Sequence, residues 1–217
     1  MEPLKVGNGA ADRAVAALRA GKPVILPTDT VYGLCASPYS EAPVRRAYEL
    51  KGREASQPSA LLTADVDMLF ECISELRSRV GPLLRSLLPG PLTLVVPNPA
   101  RRYRWLTGAS PETIGVRVPE LPPAAVPVLT RVGAVMATSA NVPGASDPRA
   151  VDEIPEEILA GCEAVVDAGE LPGTPSTVVD LTGDEPRVLR EGAVPAEDVL
   201  ARVRDAVASA GAASSRG

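Results

Sequence analysis

Apolar and polar positions exchange along the chain with alternating helical and strand periods. Asp12 precedes Val15 and Leu18 at helical spacing, Gly21 stops that period, and Pro23-Val24-Ile25-Leu26 follows as the short apolar run of a buried strand. Thr28-Asp29-Thr30 falls at its end. Ser40 and Pro43 open a second helix with Val44, Ala47, Tyr48 and Leu50 on one face, closing at Lys51-Gly52-Arg53. The same reading predicts strands over 59–62, 92–96, 114–118, 134–138, 164–167, 177–181 and 187–190. Helices are predicted over 65–70, 74–88, 122–132 and 151–160, and from Pro195 through Val203. Pro89-Gly90-Pro91 ends the 74–88 helix, and residues 97–112, without period, read as a surface loop or lid. Helices alternating with strands predict an α/β fold, a sheet with helices packed on it. There is no internal repeat or interior linker, which points to one domain over residues 1–207 and a small, polar, flexible tail over 208–217.

Composition narrows the chemistry. Lys plus Arg number 22 against 27 Asp plus Glu, a net charge of -5, and aromatics make up 3% of 217 residues. A broad basic face with stacking platforms for nucleic acid is therefore not expected. Histidine is absent, which removes imidazole acid-base catalysis, His-based triads and His-ligated zinc. The three cysteines are widely spaced and odd in number, as in a reducing cytoplasm. No leader pattern or long apolar stretch is present, so neither secretion nor a membrane span is expected.

The nucleotide motifs fail. Gly21-Lys22 is followed by Pro23 and has no glycine five positions before it, and Gly7-Asn8-Gly9 precedes no strand-to-helix turn. What remains is a set of polar residues near strand ends. Thr28-Asp29-Thr30-Val31-Tyr32-Gly33 is either a ligand site or a self-satisfied turn. Lys51-Gly52-Arg53 is either a helix cap or a paired ammonium and guanidinium for phosphate. Arg117 interrupts an apolar strand and requires an anion, from a ligand or from an internal carboxylate. Thr138-Ser139-Ala140-Asn141, Ser176-Thr177-Val178-Val179-Asp180 and Arg190-Glu191-Gly192 complete the set, which would gather along one rim of the sheet.

These segments, together with Gly90-Pro91-Leu92-Thr93 and Gly115-Val116-Arg117-Val118-Pro119, resemble the YrdC/Sua5 family, the threonylcarbamoyl-adenylate synthases of tRNA modification, over about residues 10 to 205. The resemblance implies a YrdC-like twisted mixed sheet with helices packed on it and a concave, positively lined cavity. It implies that L-threonine and bicarbonate form a carbamate, which attacks the α-phosphate of ATP to give threonylcarbamoyl-AMP and pyrophosphate. A downstream threonylcarbamoyl-transferase would then modify tRNA, which this chain would contact only indirectly or weakly. Thr30, Arg117 and Ser176 resemble the threonine contacts. Arg53, Gln57, Thr113, Ser139, Asn141 and Arg190 resemble the ATP contacts, with Lys51 and Arg53 in the catalytic role. Magnesium would be held by ATP and water, with no protein metal site. Leu62 stands where some members have histidine, Gln57 where Asn or Lys is common, and Glu54 where proline is frequent. The chain resembles the short, single-domain form. A YrdC-fold RNA-binding module and a relative acting on another carbamoyl-type substrate are the alternatives.

Overall fold

A computed structural model describes residues 9–78 and 80–214. Its strands are β1 (Val24–Pro27), β2 (Tyr32–Ala36), β3 (Ala60–Thr63), β4 (Leu92–Pro97), β5 (Thr113–Arg117), β6 (Ala134–Ser139), β7 (Ala164–Val165), β8 (Thr177–Asp180) and β9 (Arg187–Arg190). Its helices are α1 (Gly9–Arg19), α2 (Glu41–Lys51), α3 (Val66–Cys72), α4 (Gly81–Leu87), α5 (Val126–Val132), α6 (Glu156–Gly161) and α7 (Ala196–Ser214). The strands form one mixed sheet in the order β7-β1-β2-β6-β3-β5-β4-β8-β9. Parallel pairs β1·β7, β3·β5 and β4·β8 are interleaved with antiparallel ones. Among the described residues no helix is long and apolar enough to cross a membrane.

Most predicted elements stand, and the differences have local causes. β2 was not among the predicted strands. Tyr32-Gly33-Leu34-Cys35-Ala36 is buried at every position, so it shows no alternation, and it lacks β-branched residues. The 74–88 segment divides into a 3-10 turn, Ser74–Arg77, and α4, because Gly81-Pro82 starts a new helix. Pro155 divides 151–160 in the same way. Pro127, rather than Pro122, sits in the first turn of α5. α7 carries the chain as helix to Ser214, past the expected start of the tail at 208, and residues 215–217 lie outside the described residues.

The two faces of the sheet are covered unequally, and this creates the site. Leu34, Leu61, Leu94, Val116 and Met136 point to one face and join the larger core, with Val44 and Ala47 of α2, Leu69 of α3, Leu84 of α4 and Val199 of α7. The alternate residues point to the other face. There Leu26, Cys35, Leu62 and Val135 pack under α1 and α5, through Ala14, Leu18, Val128 and Leu129. Among the described residues no helix joins this second cluster over β5, β4 and β8.

Candidate active site

The uncovered part of the second face is a cavity of about 670 Å³, within the range of small-molecule sites, roughly 300–1,000 Å³. Its floor follows from strand register. One cross-strand row reads Asp180, Val95, Gly115, Ala60 and Ala137, so small side chains lie at its centre. Gly33 pairs with Ser139 in the adjoining row. The polar groups therefore meet on a face of the sheet, not along the rim expected from their positions near strand ends. Period-2 geometry sends Thr113, Gly115 and Arg117 to one side together.

Arg117 lies at the back of this cavity and is 8% exposed. The internal carboxylate that the sequence left open is Asp29, which forms a buried ion pair with Arg117 Nη2. That nitrogen also donates to Thr30 Oγ1 at 2.7 Å. Asp29 Oδ2 in turn accepts from the Glu120 backbone N–H. Thr28, whose hydroxyl donates to Val31 O and lines the cavity, completes a turn that is both self-satisfied and part of the site. Burial pulls the Arg117 pKa below the usual arginine value, with Asp29 opposing and nearby Arg190 adding to the fall. Arg117 Nε is buried without a partner. Leu62, opposite Arg117 in the β3·β5 register, is buried under α1 and α5 and presents no polar group.

At the other side of the cavity the chain leaves α2 through Gly52, which is in the left-handed region at φ 67°. The turn sends Arg53 back toward the sheet. Its guanidinium donates to Thr138 Oγ1 at 3.2 Å and to Pro58 O, and Nε is buried and unpartnered. Lys51 is not at an exposed helix end. It is 4% exposed, and its ammonium donates to Ser139 O, Asn141 O and Asn141 Oδ1 at 2.6, 2.7 and 2.6 Å. Burial draws its pKa down to about 8, Arg53 pushes the same way, and Asp147 opposes.

The third wall is made by Ser176 and Arg190. Arg190 Nη2 donates to Ser176 O at 2.8 Å, and Ser176 Oγ shares a 2.8 Å hydrogen bond with Thr93 Oγ1. Gly192 makes this approach possible, since a Cβ there would lie 2.1 Å from Pro175 O and 2.7 Å from the Ser176 carbonyl carbon. Gly192→Ala must therefore displace Pro175-Ser176. We expect it to lower stability by about 1–3 kcal/mol and to weaken ligand binding, checked by urea unfolding beside a binding titration. An unfolding curve and affinity equal to the parent's would remove this constraint.

The 97–112 segment is a packed wall. Asn98 closes its base by accepting from Arg102 N and donating to Arg102 O and Pro111 O, and Trp105 Nε1 donates to Pro38 O at 2.8 Å. Thr107, Ala109 and Ser110 face the cavity.

Of the residues singled out in the sequence, Arg53, Thr113, Arg117, Ser139, Ser176 and Arg190 line one cavity. Thr30, Lys51 and Asn141 are buried one step behind its wall, where they hold Arg117 and Ser139. Gln57 is exposed and does not belong to the lining. Thr93, Ser110, Thr138, Asp147 and Asp180 also line the cavity and had no assigned role. Strand alternation from Arg117 would have found Thr93 and Asp180 once the register was known. Nothing local marks Ser110 or Asp147.

A family model, Sua5/yciO/yrdC, described as telomere recombination, matches residues 16–192. The threonylcarbamoyl-AMP synthase of Pyrococcus abyssi is 36% identical over 183 residues, which are 84% of this chain and 54% of that protein. The chain thus spans about half the length of that relative. A putative threonylcarbamoyl-AMP synthase of Mycobacterium tuberculosis is 34% identical over 187 residues, 86% of this chain and 85% of that one. The crystal structure of P. abyssi Sua5 complexed with L-threonine superimposes with a TM-score of 0.82 at 33% identity, over 92% of this chain and 59% of that one.

Proposed function

Since the chain belongs to the Sua5/YciO/YrdC family, we propose that it is a threonylcarbamoyl-AMP synthase acting on L-threonine, bicarbonate and ATP. The observation that carries this reading is the arrangement of cations. Burial lowers the pKa of Arg117 on one side of the cavity, with Asp29 opposing and the charge of Arg190 adding to the fall, and burial lowers that of Lys51 at the other, with the charge of Arg53 adding to it. Two like-charged pairs around one basin are stabilised by a polyanion between them. A triphosphate beside an amino-acid carboxylate supplies that charge.

The chemistry needs positioning more than proton transfer. The amine of threonine joins the carbon of bicarbonate with loss of water, giving a carbamate. A carbamate oxygen then forms a bond to the α-phosphorus of ATP as the bond to the β-phosphate oxygen breaks, and pyrophosphate leaves. Charge spreads over phosphoryl oxygens throughout, and fixed guanidiniums neutralise it without imidazole. In this reading Arg117 and Ser176 receive threonine, with Thr30 behind Arg117. Arg53, Thr113, Ser139 and Arg190 receive ATP. Ser176 accepts from Arg190 and so joins the two subsites.

Magnesium enters as part of the ATP substrate. Among the described residues no group of three or more Cys, Asp or Glu side chains stands ready to hold a metal. Of the lining carboxylates, Asp180 is engaged by Thr182 and Arg187. The activated product would pass to a separate transferase acting on tRNA.

Pyrophosphate release from ATP, measured with and without threonine and bicarbonate, tests the proposal. Release that requires both is the expected result. Release indifferent to threonine, or salt-sensitive tRNA binding without any release, sinks it.

A further inference from the structure

Tyr32 is fully buried in the larger core, on the face of the sheet opposite the cavity, while its neighbours Val31 and Gly33 line the cavity itself. Phenylalanine would fill the same space, and a buried hydroxyl is costly unless it is bonded. All of its partners lie in one turn. Tyr32 Oη accepts from the Ala168 N–H at 2.9 Å, and two acceptors stand ready for its proton, Gly169 O at 2.7 Å and Asp167 Oδ1 at 2.9 Å. Burial pushes the phenol pKa up to about 12, so that proton is present at neutral pH. Asp167 Oδ1 also accepts from the Gly169 N–H at 2.8 Å, which closes the turn on itself.

The turn begins a strap over residues 167–175 that contains no helix or strand and one buried apolar side chain, Leu171. Hydrogen bonds must therefore set its course. The Leu171 N–H donates to Arg149 O and the Gly173 N–H to Thr30 O, both at 2.8 Å, and the chain then delivers Pro175 and Ser176 to the cavity wall. The strap thus holds the main chain of Thr30 behind Arg117 and ends on Ser176 in the third wall. The phenol fixes its opposite end.

We infer that Tyr32 is a positioning residue for the amino-acid substrate, whose phenol, through Asp167, Ala168 and Gly169, fixes the strap that sets Thr30 and Ser176 relative to one another. Tyr32 touches no substrate, since it lies outside the cavity lining. The inference rests on the reading of Thr30 and Ser176 as threonine-side residues and adds the group that holds them in place.

Titration calorimetry with L-threonine and, separately, with ATP tests it. A strap freed at its start must be reordered when threonine binds, so Tyr32→Phe is expected to weaken threonine by about 3- to 10-fold, the worth of one hydrogen bond. ATP affinity should change by less than about 2-fold, because Arg190 reaches Ser176 O from β9 and the other ATP-side residues stand on separate segments. Asp167→Ala should weaken threonine with the same selectivity. Asp167→Asn, which keeps an oxygen to accept from the phenol and from the Gly169 N–H, should bind threonine nearly as the parent does. Threonine affinity within about 2-fold of the parent in Tyr32→Phe overturns the inference, as do equal losses of threonine and ATP affinity alongside a lower melting temperature. Should Tyr32→Phe fail to fold, Asp167→Ala decides by the same comparison. A parent protein that binds no threonine overturns the amino-acid reading, and the inference falls with it.

Discussion

Arg117→Ala is expected to lower the melting temperature by about 10 °C and to raise the threonine concentration needed for pyrophosphate release far more than the ATP concentration. The first effect follows from Asp29. Its carboxylate is buried beside Arg117, and after the substitution it keeps only the Glu120 N–H among its observed partners. Breaking one half of a buried pair typically costs about 3–5 kcal/mol, because the remaining charge is left uncompensated. The second effect follows from the guanidinium's place at the back of the cavity, where the proposed substrate carboxylate would meet it. The two effects separate in the double variant Asp29→Asn/Arg117→Met, which removes both charges. Thermal melts should show most of the lost stability restored, while the threonine requirement stays high. Recovery of threonine-dependent turnover in that double variant would remove Arg117 from the amino-acid site and leave it a purely structural ion.

Gly115→Val gives the opposite pattern, a folded protein that does not turn over. Gly115 stands mid-strand in β5, between Val95 and Ala60 on the cavity floor. A Cβ there would meet Ser59 O and Thr93 Cγ2 at 3.7 Å, ordinary contact distances. Valine also suits a strand better than glycine, by up to about 1 kcal/mol, so stability should hold or rise slightly. Its two methyl groups project into the cavity where the proposed substrates would meet. Misplacement of reacting groups by about 1 Å costs on the order of 10²-fold in rate, and a loss at least that large is expected in the pyrophosphate assay, with an unchanged melting curve. Activity within ten-fold of the parent would place the reaction somewhere other than this floor.

The segments that carry the site differ in how openly the sequence displays them. Arg117 is conspicuous because a guanidinium in an apolar strand needs an anion wherever that strand lies. The choice between a ligand and Asp29 depended on a turn 88 residues away in the chain. Lys51 is the reverse case. A lysine closing a helix before glycine is indistinguishable from an ordinary C-terminal cap, and only the position of β6 shows that its ammonium is enclosed by Ser139 and Asn141. β2 escaped the periodic reading because both of its faces are buried, which erases alternation. The wall residues Ser110 and Asp147 carry no local signal, since a loop's contribution to a cavity is set by where its ends are anchored.

Local chemistry determined most of the helices and strands, that this chain brings no imidazole, and that the polar motifs belong to one family. Those properties depend on near neighbours, on periodicity, turn residues and composition, and a linear reading reaches them. Strand order and register decided the rest. Pairing β5 between β3 and β4 turns Gly115, Ala60 and Ala137 into a floor, and stopping α1 and α5 halfway across the face leaves that floor open. No residue encodes that opening alone, because it is the part of the sheet that the packing of every other element leaves bare.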